Sequence, residues 1–433
     1  MTPQRPAEPP FDPDWLDAVA DYCRNFTAGM PRFVDLYLER RLEIRVTTFR
    51  SHLHAEDVRT EGSAVRWLYP SRTVLQARTG TTPAALDDLL STNSRRITVP
   101  RHRPVAPVEI EPPRQWRDWA CSTLHRNRDG QSRVRYIDRQ AVVVQPGRWS
   151  PALSPPLVRV EIGGHRAGAL LSVWDHPLLS TWLDDLFSDS PSRCWRPESG
   201  LQVPVLLSAG TTGVLIHETI GHLAEADLVI SGESPLSAQA GATISTSSLS
   251  VIDDPTRSDL PGAFANDDEG VQATPRKLVS EGRLVGWLCD QAGAHTLQCP
   301  AGRGRRASWN RPPVARLSNL TVAAGVNDPA AMERALDNAL LVTRLGGATV
   351  DPVSGRLLLR VERGWEIRRG RRRRPTGPYE LTGNALDVLA HIEPDIGTDV
   401  SPDWRLGWCV KDGVPIPTGS AAPSVVAQRL EVL

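Results

Sequence analysis

Between residues 13 and 23, apolar side chains recur at helical spacing: Trp15, Leu16, Val19, Ala20, Tyr22 and Cys23 follow an Asp-Pro-Asp start that supplies a cap. The period then shortens to two. In FVDLYLERRLEIRVTTF, GSAVRWLYP and RTVLQART, apolar residues alternate with Arg, Glu and Thr, which predicts an antiparallel sheet with one face on a core and one in water. TTPAALDDLLSTNS reads as a capped helix that closes this unit. The stretch ITVPRHRPVAPVEIEPPRQ holds five prolines in nineteen residues, reads as a linker and puts a boundary near residue 110.

A second unit, 111–200, has strand patterns in SRVRYIDRQAVVVQ and PLVRVEIGG and a helical segment in LLSTWLDDLF. From 201 onward, VPVLLSAG is a short buried strand that leads into a helix over TTGVLIHETIGHLAEADLVI. The remainder is mostly strand, punctuated by the turns DPVSG, TGN and KDG. With no internal repeat and no sustained βαβ rhythm, the fold class is α+β. It divides into an N-terminal α/β unit of mostly antiparallel sheet (1–110), a middle domain (111–200) and a C-terminal β-rich domain (201–433) that carries the histidine-bearing helix.

A chain of 433 residues with 40% hydrophobic and 23% charged residues has the composition of a globular, multi-domain protein. Fifty basic residues balance fifty acidic ones, so net charge gives no case for a nucleic-acid or membrane partner. The run Arg371 to Arg374 lies between GWEI and PYEL and reads as a solvated hairpin tip. No signal-peptide pattern opens the sequence, and no apolar run reaches the length of a bilayer span. The six cysteines (23, 121, 194, 289, 299, 409) form no C-x-x-C pair, which points to a reduced, cytoplasmic protein.

The chemistry concentrates in GVLIHETIGHLAEAD, where His217, Glu218 and His222 resemble a zinc-peptidase helix with one residue too many. On a regular helix the two histidines diverge by about 140°, too far to share one tetrahedral ion. A π-bulge absorbs the extra residue, and Gly221 is the position best able to take the distortion. The sequence therefore predicts an interrupted helix, two imidazoles on one metal, and Glu218 as the base that takes a proton from water and passes it to the leaving amine. Thr211 or Thr212 is expected to cap the helix. For a third ligand, spacing leaves two choices: Glu225, three residues past His222, or a distant Cys or His.

HETIGHLAEAD resembles the H-E-x-x-x-H segment of the TldD/PmbA family of metallopeptidases, also called modulators of DNA gyrase. Three later segments are similar to that family in the same order: NDDEGVQATPRKLVSEGRLVGWLCD (266–290), GRRASWNRPPVARLSN (304–319) and WCVKDGVPIPTG (408–419). FVDLYLERRLEI (33–44) fits its first strand, and the match is thinnest between 111 and 200. The resemblance implies one Zn2+ per chain held by His217, His222 and Cys409, with Glu218 as general base. It implies hydrolysis of amide bonds in unfolded or short linear peptides, and a dimer formed with a related PmbA/TldE-like subunit or with itself. Two other readings are a biosynthetic amidase that tailors a peptide-like natural product and a non-catalytic modulator of a larger complex. Ala226 stands where the family commonly has Gly, and Val410 where a small residue is usual. Glu225, Arg305, Arg306, Arg316 and Asn319 are candidate substrate contacts through their polar groups. Asp267, Asp268 and Glu269 are candidates to line the cavity or to cap a loop.

Overall fold

The computed structural model describes residues 11–24, 32–49, 52–69, 73–91, 114–125, 132–162, 165–170, 183–184, 194–403, 407–411 and 413–433. The helical segment expected at LLSTWLDDLF and the proline-rich stretch before 114 lie almost wholly outside these residues. Among the described residues, no helix is long and apolar enough to cross a membrane.

The N-terminal half is built on one seven-stranded sheet of β1 (Arg32–Phe49), β2 (His52–Leu68), β3 (Thr73–Thr79), β4 (Ser132–Gln145), β5 (Arg148–Pro151), β6 (Leu157–Ile162) and β7 (His165–Leu170). Its strands run β3-β2-β1-β4-β6-β7, with β5 paired to β4. β4 pairs with β1 from Leu36↔Val144 to Thr48↔Ser132, so the boundary expected near 110 falls inside a single sheet. The reason is hydrogen bonding: a long central strand such as β1 needs partners on both edges, and the second partner comes from beyond the linker.

Alternation sets the two faces of this sheet. Leu36, Leu38, Val65, Trp67, Val142 and Val144 form one core with the helices Pro13–Cys23 and Pro83–Leu90. Farther along, Leu42, Ile44, Val46, Val134 and Tyr136 pack on Trp116, Ala120 and Leu124 of the helix Arg114–His125. Both of the first two helices start as expected, with Asp12 and Thr82 accepting from the backbone amides of Asp14 and Ala85. The opposite face departs from the sequence reading. Asp35, Tyr37 and Glu39 are 0–1% exposed, because that face is covered by the C-terminal half rather than by water. Gly62 belongs to the same contact: a Cβ there would stand 2.1 Å from the Trp309 ring.

The C-terminal half holds two larger sheets. The first contains β8 (Val205–Leu207), β15 (Ala339–Val350), β16 (Arg356–Arg368), β17 (Arg371–Thr376), β18 (Tyr379–Asn384), β19 (Ile392–Ile396), β24 (Val425–Ala427) and β25 (Glu431–Val432). The second contains β9 (Val251–Asp253), β10 (Arg276–Ser280), β11 (Arg283–Leu284), β14 (Asn319–Val322), β20 (Ser401–Pro402) and β23 (Gly419–Ala422). Two ribbons complete it: β12 (Gly304–Arg305) with β13 (Val314–Ala315), and β21 (Trp408–Lys411) with β22 (Val414–Pro417). Arg371 to Arg374 are exposed on β17, beside the Arg369–Gly370 turn, where a solvated hairpin was expected.

The segment 211–221 is buried at every position, and Val214, Leu215, Ile216 and Ile220 share one core cluster with Leu340 and Val342 of the first sheet and Val251 and Leu320 of the second. A helix buried all round suits a sequence with no polar stripe apart from its chemistry. Cys289 and Cys299 are joined by a disulfide across the helix Gln291–Leu297, which departs from the expectation of reduced cysteines; Cys23, Cys121 and Cys409 are free thiols. A C-x9-C spacing carries no sequence signature, and only the intervening helix turns the two thiols toward each other.

Candidate metal centre

The helix that starts at Thr211 is not regular. It is α-helical over Thr211–Ile216, widens to a π turn over His217–Gly221, tightens to 3-10 over His222–Ala224, and resumes as α only at Ala226–Ser231. The π turn is the distortion that the spacing of the two histidines requires, since it rotates His222 back toward the face of His217. The imidazole centroids stand 5.0 Å apart, with their planes 82° to each other. Gly221 is needed for packing as well as for the bend: a Cβ there would meet Leu320 Cδ1 at 2.7 Å and Leu317 Cδ2 at 3.2 Å.

The interruption was expected near Gly221 alone, with the helix running on through LVI; the chain also breaks at Glu225, which is extended (φ −69°, ψ 130°) and forms a bridge with Leu288. The capping expectation also fails. Gly210 occupies the N-cap, and the threonine hydroxyls donate to carbonyls, Thr211 to Ser208 at 2.7 Å and Thr212 to Leu207 at 3.4 Å.

Cys409 arrives from β21 with its Sγ 3.0 Å from His222 Nε2, across 187 residues of sequence. The ligand atoms of His217, His222 and Cys409 lie within 4.8 Å of one another. Burial pushes the Cys409 thiol up, but the charge on His222 and hydrogen bonds from His217 and His222 more than reverse this and bring it to about 5. His217 Nδ1 is buried with no hydrogen-bond partner. Two imidazoles and an acidified thiol on one small volume fit a divalent ion with borderline-soft preference.

Glu225 sits beside this group, fully buried. Its Oε2 is 3.5 Å from His222 Nδ1 and accepts from Lys411 Nζ at 2.8 Å, while Oε1 accepts from the Leu317 amide at 3.3 Å and lies 3.5 Å from Arg316 Nε. Burial alone would raise the Glu225 carboxyl; His222, Lys411 and Arg316 outweigh it and hold it at about 2. Arg316 Nη2 in turn donates to both the sulfur and the carbonyl of Cys409, each at 3.1 Å. Glu225 thus holds the far side of a histidine instead of joining the three-atom group. Lys411, which the sequence reading gave no role, completes the set by also binding Asp227 at 2.6 Å. Its signal was rarity: it is one of two lysines in a chain whose other basic residues are all arginine. Glu218 is 7% exposed and makes no hydrogen bond or ion pair with any described residue.

The other candidates lie elsewhere. Asn319 ties the backbone, accepting from Gly262 N at 2.8 Å and donating to Asp254 O at 3.1 Å. Arg306 reaches the N-terminal sheet, 3.4 Å from Asp35 and over the Tyr37 ring at 4.5 Å. Arg305 stacks on Phe264 at 4.5 Å. Asp267 caps its loop by accepting from the amides of Glu269, Val271 and Gly304; burial and the neighbouring Glu269 raise its carboxyl to about 7. Asp268 and Glu269 bind Arg139 at 2.8 Å and Arg66 at 2.7 Å across the junction between the two halves.

Residues 200–433 match the family model described as the PmbA/TldA metallopeptidase C-terminal domain. The chain is 30% identical over 230 residues to a metalloprotease TldD homolog of Buchnera aphidicola and 32% identical over 232 residues to a metalloprotease of Methanothermobacter thermautotrophicus. Each match covers 53% of this chain and 47% and 49% of the respective relative, so it spans about half the length of these relatives. In fold, the chain is similar to a Thermotoga maritima protein described as a modulator of DNA gyrase (TM-score 0.65, 16% identity, 93% of this chain and 96% of that one). It is equally similar to TldE of Thermococcus kodakarensis (TM-score 0.65, 14% identity, 96% and 99%). With more than half of its length matched by the family model, and that half holding the interrupted histidine helix and the late cysteine, the chain belongs to the TldD/PmbA metallopeptidase family.

Proposed function

We propose that this chain is a zinc-dependent peptidase that hydrolyses amide bonds of unfolded or short linear peptides. The observation that carries the reading is the meeting of His217, His222 and Cys409, with Glu218, next in the chain to His217, buried and its carboxylate bound to no other described residue. His217 and His222 would hold the ion through ring nitrogens, and Cys409 through its thiolate. When bound, zinc supplies a Lewis acid that polarises a carbonyl and makes water more acidic.

The chain's own residues do the rest. Glu218 accepts a proton from the attacking water and delivers it to the departing amine; with no ion pair to any described residue, that carboxylate is available. Glu225 receives the Nδ1 side of His222, which directs Nε2 toward Cys409 and fixes the ring. Arg316 steadies the sulfur, and Lys411 balances the Glu225 charge. The fold likeness to a TldE supports a dimer, formed with a related subunit or with a second copy. The test is metal content by mass spectrometry: about one zinc per chain, lost on His217→Ala or Cys409→Ser. Zinc retained at full occupancy by both variants would remove the reading.

A further inference from the structure

A small cavity lies where the N-terminal sheet meets the C-terminal half, with about 30 Å³ of room for the centres of water-sized groups. Four arginines line it, Arg41 and Arg139 from the sheet, Arg305 from β12 and Arg306 directly after it, and no carboxylate does. Trp408 closes another side. At roughly 10–15 Å³ per water on this measure, the space suits a group of two or three heavy atoms.

Arg305 is the arginine whose needs are least met. It is 2% exposed, its Nη1 is buried with no hydrogen-bond partner, and the carboxylate nearest to its guanidinium is Asp268, 4.0 Å from Nε. Burial, with repulsion from Arg139 and Arg316, outweighs the help from Asp268 and lowers its guanidinium to about 10. Burial also holds Arg41 and Arg306 below the usual arginine range. Buried donors without an acceptor are costly, and the guanidinium fork matches a carboxylate.

The cavity is joined to the metal centre by two short paths. In the β12–β13 ribbon, Arg305 pairs with Val314 and the Arg316 amide bonds to Arg303 O, so Arg305 and Arg316 are diagonal neighbours on one face. Arg316 is the residue that donates to the Cys409 sulfur. Along the other path, Trp408 lines the cavity and directly precedes Cys409.

We propose that this arginine-lined cavity is a subsite for a carboxylate of the peptide substrate, supplied by the free chain end or by an acidic side chain, with Arg305 as its principal donor. The proposal rests on the peptidase reading for the identity of the ligand, but the test does not depend on turnover. Binding of N-acetylalanine is compared by calorimetry with binding of N-acetylalaninamide, which differs only in lacking the charge, on the full chain with its metal. The acid is expected to bind about tenfold more tightly than the amide. Arg305→Met is expected to abolish the difference, and Arg305→Lys to retain part of it. Equal binding of acid and amide by the unaltered protein would overturn the subsite, and needs no variant to fold. A preference that survives Arg305→Met also overturns it, because the carboxylate would then be read elsewhere, the metal included. Peptides ending in a free acid, in an amide, or in an amide after aspartate distinguish the chain end from a side chain as the source. A protein that cleaves no peptide but still prefers the acid keeps this subsite and loses the peptidase reading.

Discussion

Two regions of this molecule bury charge, and they do so in opposite ways. At the junction of the two halves, Asp35, Glu39, Asp268 and Glu269 each meet at least one guanidinium, from Arg66, Arg139 or Arg306. At the candidate metal centre, Glu225 is enclosed by His222, Arg316 and Lys411, yet among the described residues neither the Glu218 carboxylate nor His217 Nδ1 has a partner. A buried polar group that pairs fully stabilises one arrangement, whereas one left unpaired reserves its valence for something outside the chain. The difference separates a cluster closed on itself from one with donors and acceptors to spare.

The contrast breaks most visibly at Glu218. Glu218→Gln is expected to lower kcat for peptide hydrolysis by about 10²–10⁴-fold while zinc content and melting temperature hold, because the residue has no structural partner to lose. Full activity in this variant would take the base away from Glu218. At the junction the expectation is reversed. Arg66→Met leaves Glu269 without its guanidinium partner and is expected to cost about 3–5 kcal/mol in urea unfolding, with zinc per folded chain unchanged. A loss below about 1 kcal/mol would mean that the network is slack.

Glu225 sharpens the comparison, since it is fully paired but pairs with a ligand. Glu225→Gln is expected to weaken zinc binding about 10–100-fold in competition with a chelator, while a His217→Ala protein loses the ion outright. Unchanged affinity would return Glu225 to a purely structural role. The smallest expected effect lies away from both clusters, at Asp138. Burial raises its carboxyl to about 6, only partly opposed by the Tyr136 hydroxyl. A folded value above the unfolded one contributes stability at low pH that is lost as pH rises, here between about 4 and 6. Asp138→Asn should flatten that part of the stability profile, by about 1–3 kcal/mol at most across the window. A profile of unaltered slope would assign the pH dependence to other groups.

Much of this was written in local pattern. The period-two alternation of β1 and the 3.6-period spacing before it are visible in single segments, because backbone geometry fixes where successive side chains point. The need for a distorted helix was equally legible, since five-residue spacing of His217 and His222 cannot serve one ion on a regular turn. What alternation left open was what covers the polar face. Asp35, Tyr37 and Glu39 look solvated in sequence, yet Glu39 is paired with Arg139 and Asp35 with Arg306, about 100 and 270 residues away. The same holds for the boundary expected near 110: hydrogen bonds, not composition, decide that β4 joins β1.

The sequence by itself determined most element types, the histidine helix with its forced bulge, and the identity of Glu218 as a base candidate, because each follows from spacing within a turn or a strand. Only the tertiary structure shows that Cys409, and not Glu225, comes together with His217 and His222 in one three-atom group. Three residues along a regular helix would have put Glu225 on the same face as His222. The break in the chain there turns its carboxylate to the far side of His222, and the β21–β22 ribbon brings the cysteine to the near side. Ligand choice depends on where side-chain atoms meet in space, and that is fixed by packing between segments that no local pattern relates.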